Sequence, residues 1–236
     1  MKYGSIPAGG LGTRLQPLGF AKELVPVARR AVIEYLIERM LFAGIDKIFI
    51  NTASDKIDLI RYLADKSPYK NNLIFMVRQR AGLFDGVAQP AQFLKDDDEL
   101  FFGLPDTIWY PTDAFKHVAT LQSSLGLGLF DTGTPEKFDS VTIDQNQNIT
   151  SIAVKVNNPK TQYTWAIGKM TVKAAKLMRQ WELDRGGKTR LFGDIMFDYV
   201  KKYEGKAVEF VGSKCLDIGI PEDYEKAEAF IKQNSI

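Results

Sequence analysis

The 236-residue chain carries 31 Lys+Arg against 29 Asp+Glu, a formal charge of +2, and is 45% hydrophobic. So balanced a charge argues against a basic surface for nucleic acid, and any polyanion must be met by a few placed cations. The single cysteine, Cys215, rules out an intrachain disulfide or a thiolate metal cluster; with no apolar run of about 18 residues and no leader pattern, the expected setting is reducing and cytoplasmic, with no membrane association.

Short apolar runs alternate with segments of helical period. Tyr3 to Pro7 reads as a strand that feeds a glycine turn. Ile33, Leu36, Ile37, Met40 and Leu41 share one stripe of a helix over 30–43, which Gly44 stops. The run 45–50 reads as a buried strand, 55–66 as a helix and 73–77 as another strand. A loop bearing Gly82 and Gly86 leads into a short helix toward Lys95, and strand 100–104 ends at Pro105-Asp106. This alternation predicts an α/β fold, a Rossmann-like and mostly parallel sheet flanked by helices. A helix over 112–124 then leads to strand 125–130.

The second half changes character. Segments 140–143 and 149–156, joined by the polar turn 144–148, predict a β-hairpin. Strand 163–170 follows, then Thr171 as N-cap of a helix reaching Leu183, and a helix over 193–203. Short strands at 208–211 and 215–218 precede a last helix that Pro221 opens. With no Ser/Pro-rich linker, repeat or low-complexity tract, one domain over 1–236 is the simplest organisation.

The most informative stretch is Gly9-Gly10-Leu11-Gly12-Thr13-Arg14-Leu15, directly after the first strand. Glycines there let backbone N–H groups approach a phosphate, and Arg14 adds a planar fork of donors. A P-loop would need Lys followed by Ser or Thr, where this turn has Thr13-Arg14. A dinucleotide fingerprint starting at Gly10 meets Leu15 where its third glycine belongs.

With Lys22-Glu23-Leu24-Val25-Pro26-Val27, the turn closely resembles the signature of the sugar-phosphate nucleotidyltransferases. The resemblance continues through Phe102-Gly103-Leu104-Pro105-Asp106, Lys155, and Leu216-Asp217-Ile218-Gly219-Ile220-Pro221-Glu222-Asp223, in the family's order. It implies a nucleotide-diphospho-sugar transferase fold, with a nucleotide-binding half over about 1–130 and a hairpin-containing sugar-phosphate half over about 131–236. The activity it implies joins a nucleoside triphosphate, UTP or dTTP favoured, to a hexose 1-phosphate by magnesium-assisted in-line attack, releasing pyrophosphate. Self-association as a homo-oligomer is common in that family.

Carried over residue by residue, Arg14 and Lys22 resemble the cations of the triphosphate and leaving pyrophosphate. Gly9, Gly10, Leu11, Gly12 and Thr13 form the phosphate turn, while Gly86 packs on the base and Gln79 reaches its edge. Asp106 and Asp217 hold Mg2+, which needs few protein oxygens because phosphates and water complete its shell. Lys155 holds the phosphate of the sugar, although an alternating strand also predicts an outward, solvated lysine there. The pattern departs at Val154 and Val156 around that lysine, at Ile220, and at Arg30-Ala31; Asp194 is a loose candidate for an acid that contacts sugar hydroxyls.

Other features read as structural. These are His117, the run Asp96 to Glu99 as a solvated loop, Cys215 as a small buried residue, and Trp109, Tyr110 and Trp165 as core or cleft aromatics, with Trp165 a candidate to line the sugar pocket. Two other readings stay open: a nucleotide-binding regulatory relative without turnover, and transfer to another phosphate such as phosphocholine.

Overall fold

In the computed structural model the described residues are 1–12, 18–80, 82–185, 190–219 and 223–234. Strand β1 (Lys2–Pro7) delivers the chain to the glycine turn, and a two-residue ribbon of β2 (Pro26–Val27) and β3 (Arg30–Ala31) precedes α1 (Val32–Phe42). That ribbon is absent from the sequence pattern: Ala28 and Arg29 close it with φ of 45° and 67°, so α1 begins two residues later than the expected start at 30. Gly44, at φ 77°, ends α1 as expected.

Next come β4 (Lys47–Ala53), α2 (Ile57–Arg61) with a further helical turn to Lys66, β5 (Leu73–Arg78) and α3 (Leu83–Ala88). Pro90 lacks an N–H, so the helix expected to reach Lys95 tightens into a 3-10 turn over Gln89–Phe93. Strand β6 (Glu99–Gly103) lies beside β1, giving the parallel order β6-β1-β4-β5. Phe101 and Phe102 are both fully buried, on opposite faces of this sheet. Helices cover each face, so the strand reads as a continuous apolar run with no alternation.

Two differences follow. Thr107–Tyr110 forms an unexpected strand, β7, and α4 spans only Ala114–Thr120, because Leu121 turns into the core to start the approach to β8 (Leu125–Asp131). The hairpin is β9 (Asp139–Ile143) and β10 (Ile149–Val154), and β11 (Tyr163–Thr171) runs antiparallel between β6 and β8. Helix α5 (Val172–Asp184) is capped by Thr171, whose Oγ1 accepts from Ala174 N–H at 3.1 Å. Helix α6 (Phe192–Tyr203), β12 (Lys206–Glu209), β13 (Lys214–Asp217) and α7 (Asp223–Asn234) complete the chain; the expected helix start at Pro221 lies outside the described residues. Among the described residues nine strands form one mixed sheet around the parallel core, while β13 pairs with β7 in a separate ribbon. The expected α/β class is therefore the one observed.

The acidic run is less exposed than its composition suggests. Asp98 is buried and accepts from Lys95 N–H at 3.0 Å, while Asp96 and Glu99 pair with Lys176 and Lys169. Trp109 is core, whereas Tyr110 is 43% exposed. His117 rests on Phe210 and pairs with Asp113, with half its side chain in solvent.

Candidate active site

A cleft of about 570 Å³ opens at the carboxyl ends of β1, β4, β5 and β6, where ligands bind in sheets of this type. The same geometric rule that singles out Asp106 brings in Asn51 and Thr52 at the end of β4 and Arg78 at the end of β5. These were missed because no local motif marks them. The cleft collects Gly9, Gly10, Lys22, Gln79, Gly86, Asp106, Lys155 and Asp217, drawn from segments more than 200 residues apart. Leu11 is 59% exposed. Thr13 and Arg14 lie outside the described residues.

The glycine turn is shaped around Lys22. Gly12 has φ 64°, and a Cβ there would meet the Lys22 stem at 3.0–3.2 Å, so the lysine crosses over the turn on its way into the cleft. Its Nζ donates to Asp106 Oδ2. Burial works against the lysine's charge, but Asp106, Glu23 and Asp217 outweigh it, so its pKa lies above the ordinary value. Asp106 sits in the turn between β6 and β7, three residues beyond β6. Its carbonyl accepts from Ile218 N–H at 2.8 Å, which ties that turn to the end of β13, where Asp217 stands opposite Thr107. Two carboxylates and an ammonium thus converge from three distant segments. The unexpected strand β7 is what registers them.

Beneath Lys22 lies an ion pair that no motif announced. Lys56 Nζ donates to both oxygens of Glu23, at 2.6 and 2.7 Å, with the Glu23 side chain fully buried. Burial pushes the Glu23 pKa up and the Lys56 pKa down, while each partner's charge opposes that shift. Asp58 accepts from Ala21 N–H at 2.5 Å, so the α2 segment holds both ends of the turn that carries Lys22.

Gly86 has a packing reason of its own: a Cβ would stand 3.0 Å from Pro7, so glycine lets α3 close over the end of β1. Beside it Arg78 pairs with Asp85. At the opposite rim, Lys155 is not a strand residue. Strand β10 stops at Val154, and Lys155 takes φ 49° while its N–H donates to the Phe138 carbonyl at 3.1 Å. That kink, invisible in an alternating pattern, turns the lysine to the cleft. Trp165 is 6% exposed and also reaches the cleft wall, whereas Asp194 is exposed. Lys137, Phe138 and Asp139 complete that rim; no sequence signal distinguished them.

A family model described as nucleotidyl transferase matches residues 4–234. The glucose-1-phosphate thymidylyltransferase of Neisseria meningitidis is 28% identical across 97% of this chain and 82% of its own length. The UTP–glucose-1-phosphate uridylyltransferase of Mycoplasma genitalium is 24% identical across 98% and 91%. Among solved structures, a UDP-glucose pyrophosphorylase complexed with UDP-glucose superposes with a TM-score of 0.81 at 19% identity, covering 99% of each chain.

Proposed function

This chain belongs to the nucleotidyl transferase family, among the sugar-phosphate nucleotidyltransferases, and we propose that it couples a nucleoside triphosphate, UTP or dTTP favoured, to a hexose 1-phosphate with release of pyrophosphate. The observation that carries the reading is the convergence of Lys22, Asp106 and Asp217 beside the glycine turn, in a cleft whose far rim bears Lys155. The cleft volume suits two small substrates held end to end. The catalytic demand is to align two polyanions and neutralise charge on the leaving oxygens, and no protein nucleophile is required.

In this reading the Gly9–Gly10 backbone faces the triphosphate, and Lys22 offsets the charge that builds on the departing pyrophosphate. Its raised pKa keeps it cationic throughout the neutral range. Lys155 and Lys137 meet the acceptor's phosphate, so the two anions are drawn in from opposite rims. The pair Asp106 and Asp217 fits Mg2+: both are hard oxygen donors facing the cleft, and Lys22 already occupies Asp106 as a cation would. When bound there, that ion would supply charge neutralisation to the phosphates. The two lysines on the acceptor rim favour an anionic second substrate, which supports transfer over mere nucleotide binding.

The test is a matrix of the common nucleoside triphosphates against a panel of sugar 1-phosphates, read as pyrophosphate release with Mg2+ present. Turnover with at least one pair is expected. Silence across the whole matrix would leave the binding-only relative. Replacing Asp217 by Asn should lower turnover at least about 100-fold with unchanged thermal stability; full activity in that variant removes Asp217 from the metal site.

A further inference from the structure

The cleft holds a third carboxylate that the chemistry above does not use. Asp139 opens β9 directly opposite Val154 in the hairpin register, and the neighbouring Phe138 carbonyl accepts the Lys155 N–H. Asp139 therefore stands on the same rim as Lys155, away from the Lys22 cluster. The indole Nε1 of Trp165 donates to its Oδ2 at 3.2 Å. Trp165 is itself fixed edge-on against Phe102 and Phe192, with ring centroids 5.9 and 5.4 Å apart.

The backbone is cut to admit this carboxylate. A Cβ on Gly193 would fall 2.6 Å from Asp139 Oδ2 and 2.7 Å from Val154, so only glycine lets the first turn of α6 come so close. Burial raises the Asp139 pKa, with Asp194 acting the same way, against the hydrogen bond from Trp165 and the charge of Lys155. Among the described residues no ion pair reaches Asp139. A carboxylate has about four lone-pair sites, more than Trp165 and the Gly193 N–H occupy, and it lines the cleft. A half-buried carboxylate that lines a cleft can receive a ligand's donor on its remaining lone pairs.

We propose that Asp139 is a specificity residue for the acceptor: it receives a hydrogen bond from a ring hydroxyl of the sugar 1-phosphate whose phosphate Lys155 holds. The inference rests on the function proposed above. The acceptor's anionic end meets lysines, and its neutral ring meets a carboxylate and the edge of an indole. The arrangement selects a polyhydroxylated ring over an alkyl phosphate, because a ligand without a donor covers Asp139 and leaves its remaining lone pairs unmatched. Discrimination at such polar sites is steep.

The test uses the full chain and the best substrate pair from the matrix. KM is measured separately for the nucleotide and the sugar phosphate in the unaltered protein, in D139N and D139A, and in W165F, which keeps the ring but removes the N–H. Asp139→Asn should raise the sugar-phosphate KM about 10- to 100-fold and leave the nucleotide KM within about twofold. Trp165→Phe should shift the same constant in the same direction, less strongly. Monodeoxy sugar 1-phosphates supply the decisive cycle: the one that loses at least about tenfold with the unaltered protein should lose nothing more with D139N. Equal losses in both proteins, or a rise in both KM values together, would show that Asp139 only secures α6 and overturn the inference. Absence of turnover in the unaltered chain would instead overturn the function on which it rests.

Discussion

Replacing Lys56 by Met isolates the buried pair under the catalytic turn. Glu23 is fully buried, and both its oxygens are satisfied by the one ammonium, at 2.6 and 2.7 Å. Removing that partner leaves an uncompensated buried carboxylate, a change that costs about 3–5 kcal/mol when the charge is retained. Glu23 can escape part of this by binding a proton, since burial already holds its pKa above the ordinary value. The sign follows: in the variant the folded state keeps a proton that the unfolded chain releases above its ordinary carboxylate pKa. Stability is then fully present below that value and falls by about 1.4 kcal/mol per pH unit above it, until the folded pKa is reached. Urea unfolding between pH 5 and pH 8 measures this directly. Lys56→Met should be only mildly destabilised at pH 5 and severely so at pH 8. The double variant Glu23→Gln with Lys56→Met should regain most of the loss at pH 8, because no charge is left buried. A pH-independent loss below about 1 kcal/mol, or a double variant no better than the single one, would refute the premise that the pair is a coupled buried unit. Because Glu23 adjoins Lys22, the single variant should also raise the nucleotide KM.

Three further outcomes follow from individual residues. Gly12→Ala forces a side chain into left-handed backbone and onto the Lys22 stem, so it should lose about 1–2 kcal/mol of stability and lower turnover; activity at the starting level would mean that Lys22 does not depend on the turn. Thr171→Ala should lower stability by about 1 kcal/mol with both KM values unmoved, as no residue of α5 lines the cleft; calorimetry and steady-state kinetics check the two halves. The Cys215 thiol, pushed up to about 12 by burial with Asp217 and Asp106 nearby and Arg39 opposing, should resist a thiolate-directed reagent at pH 8 in the native protein. It should react at once in denaturant; rapid native labelling would contradict the burial.

The local motifs were legible because they are answers to local constraints. A glycine at φ 64°, the Thr171 cap and the stop at Gly44 each satisfy a backbone demand made within a few residues, so they appear in a short window of sequence. The α/β class was legible for a similar reason: short apolar runs alternate with segments of period 3.6 along the chain. What sequence reasoning missed depends on partners far away. Strand β7 exists because β13 pairs with it, and that pairing brings Asp217 beside the turn holding Asp106. Lys155 reads as one more alternating strand residue until the Phe138 carbonyl turns it at φ 49°. Glu23 and Lys56 look like two ordinary surface charges, and only folding places one against the other out of water. Asp139 carries no motif at all; its character comes from Trp165 on the neighbouring strand and from Gly193 on a helix more than 50 residues later. Sequence alone determined the glycine turn and the kind of fold that follows it. Tertiary structure decided which charges share a cleft, because burial and distance set the strength of an electrostatic interaction, and neither is a property of the chain until it folds.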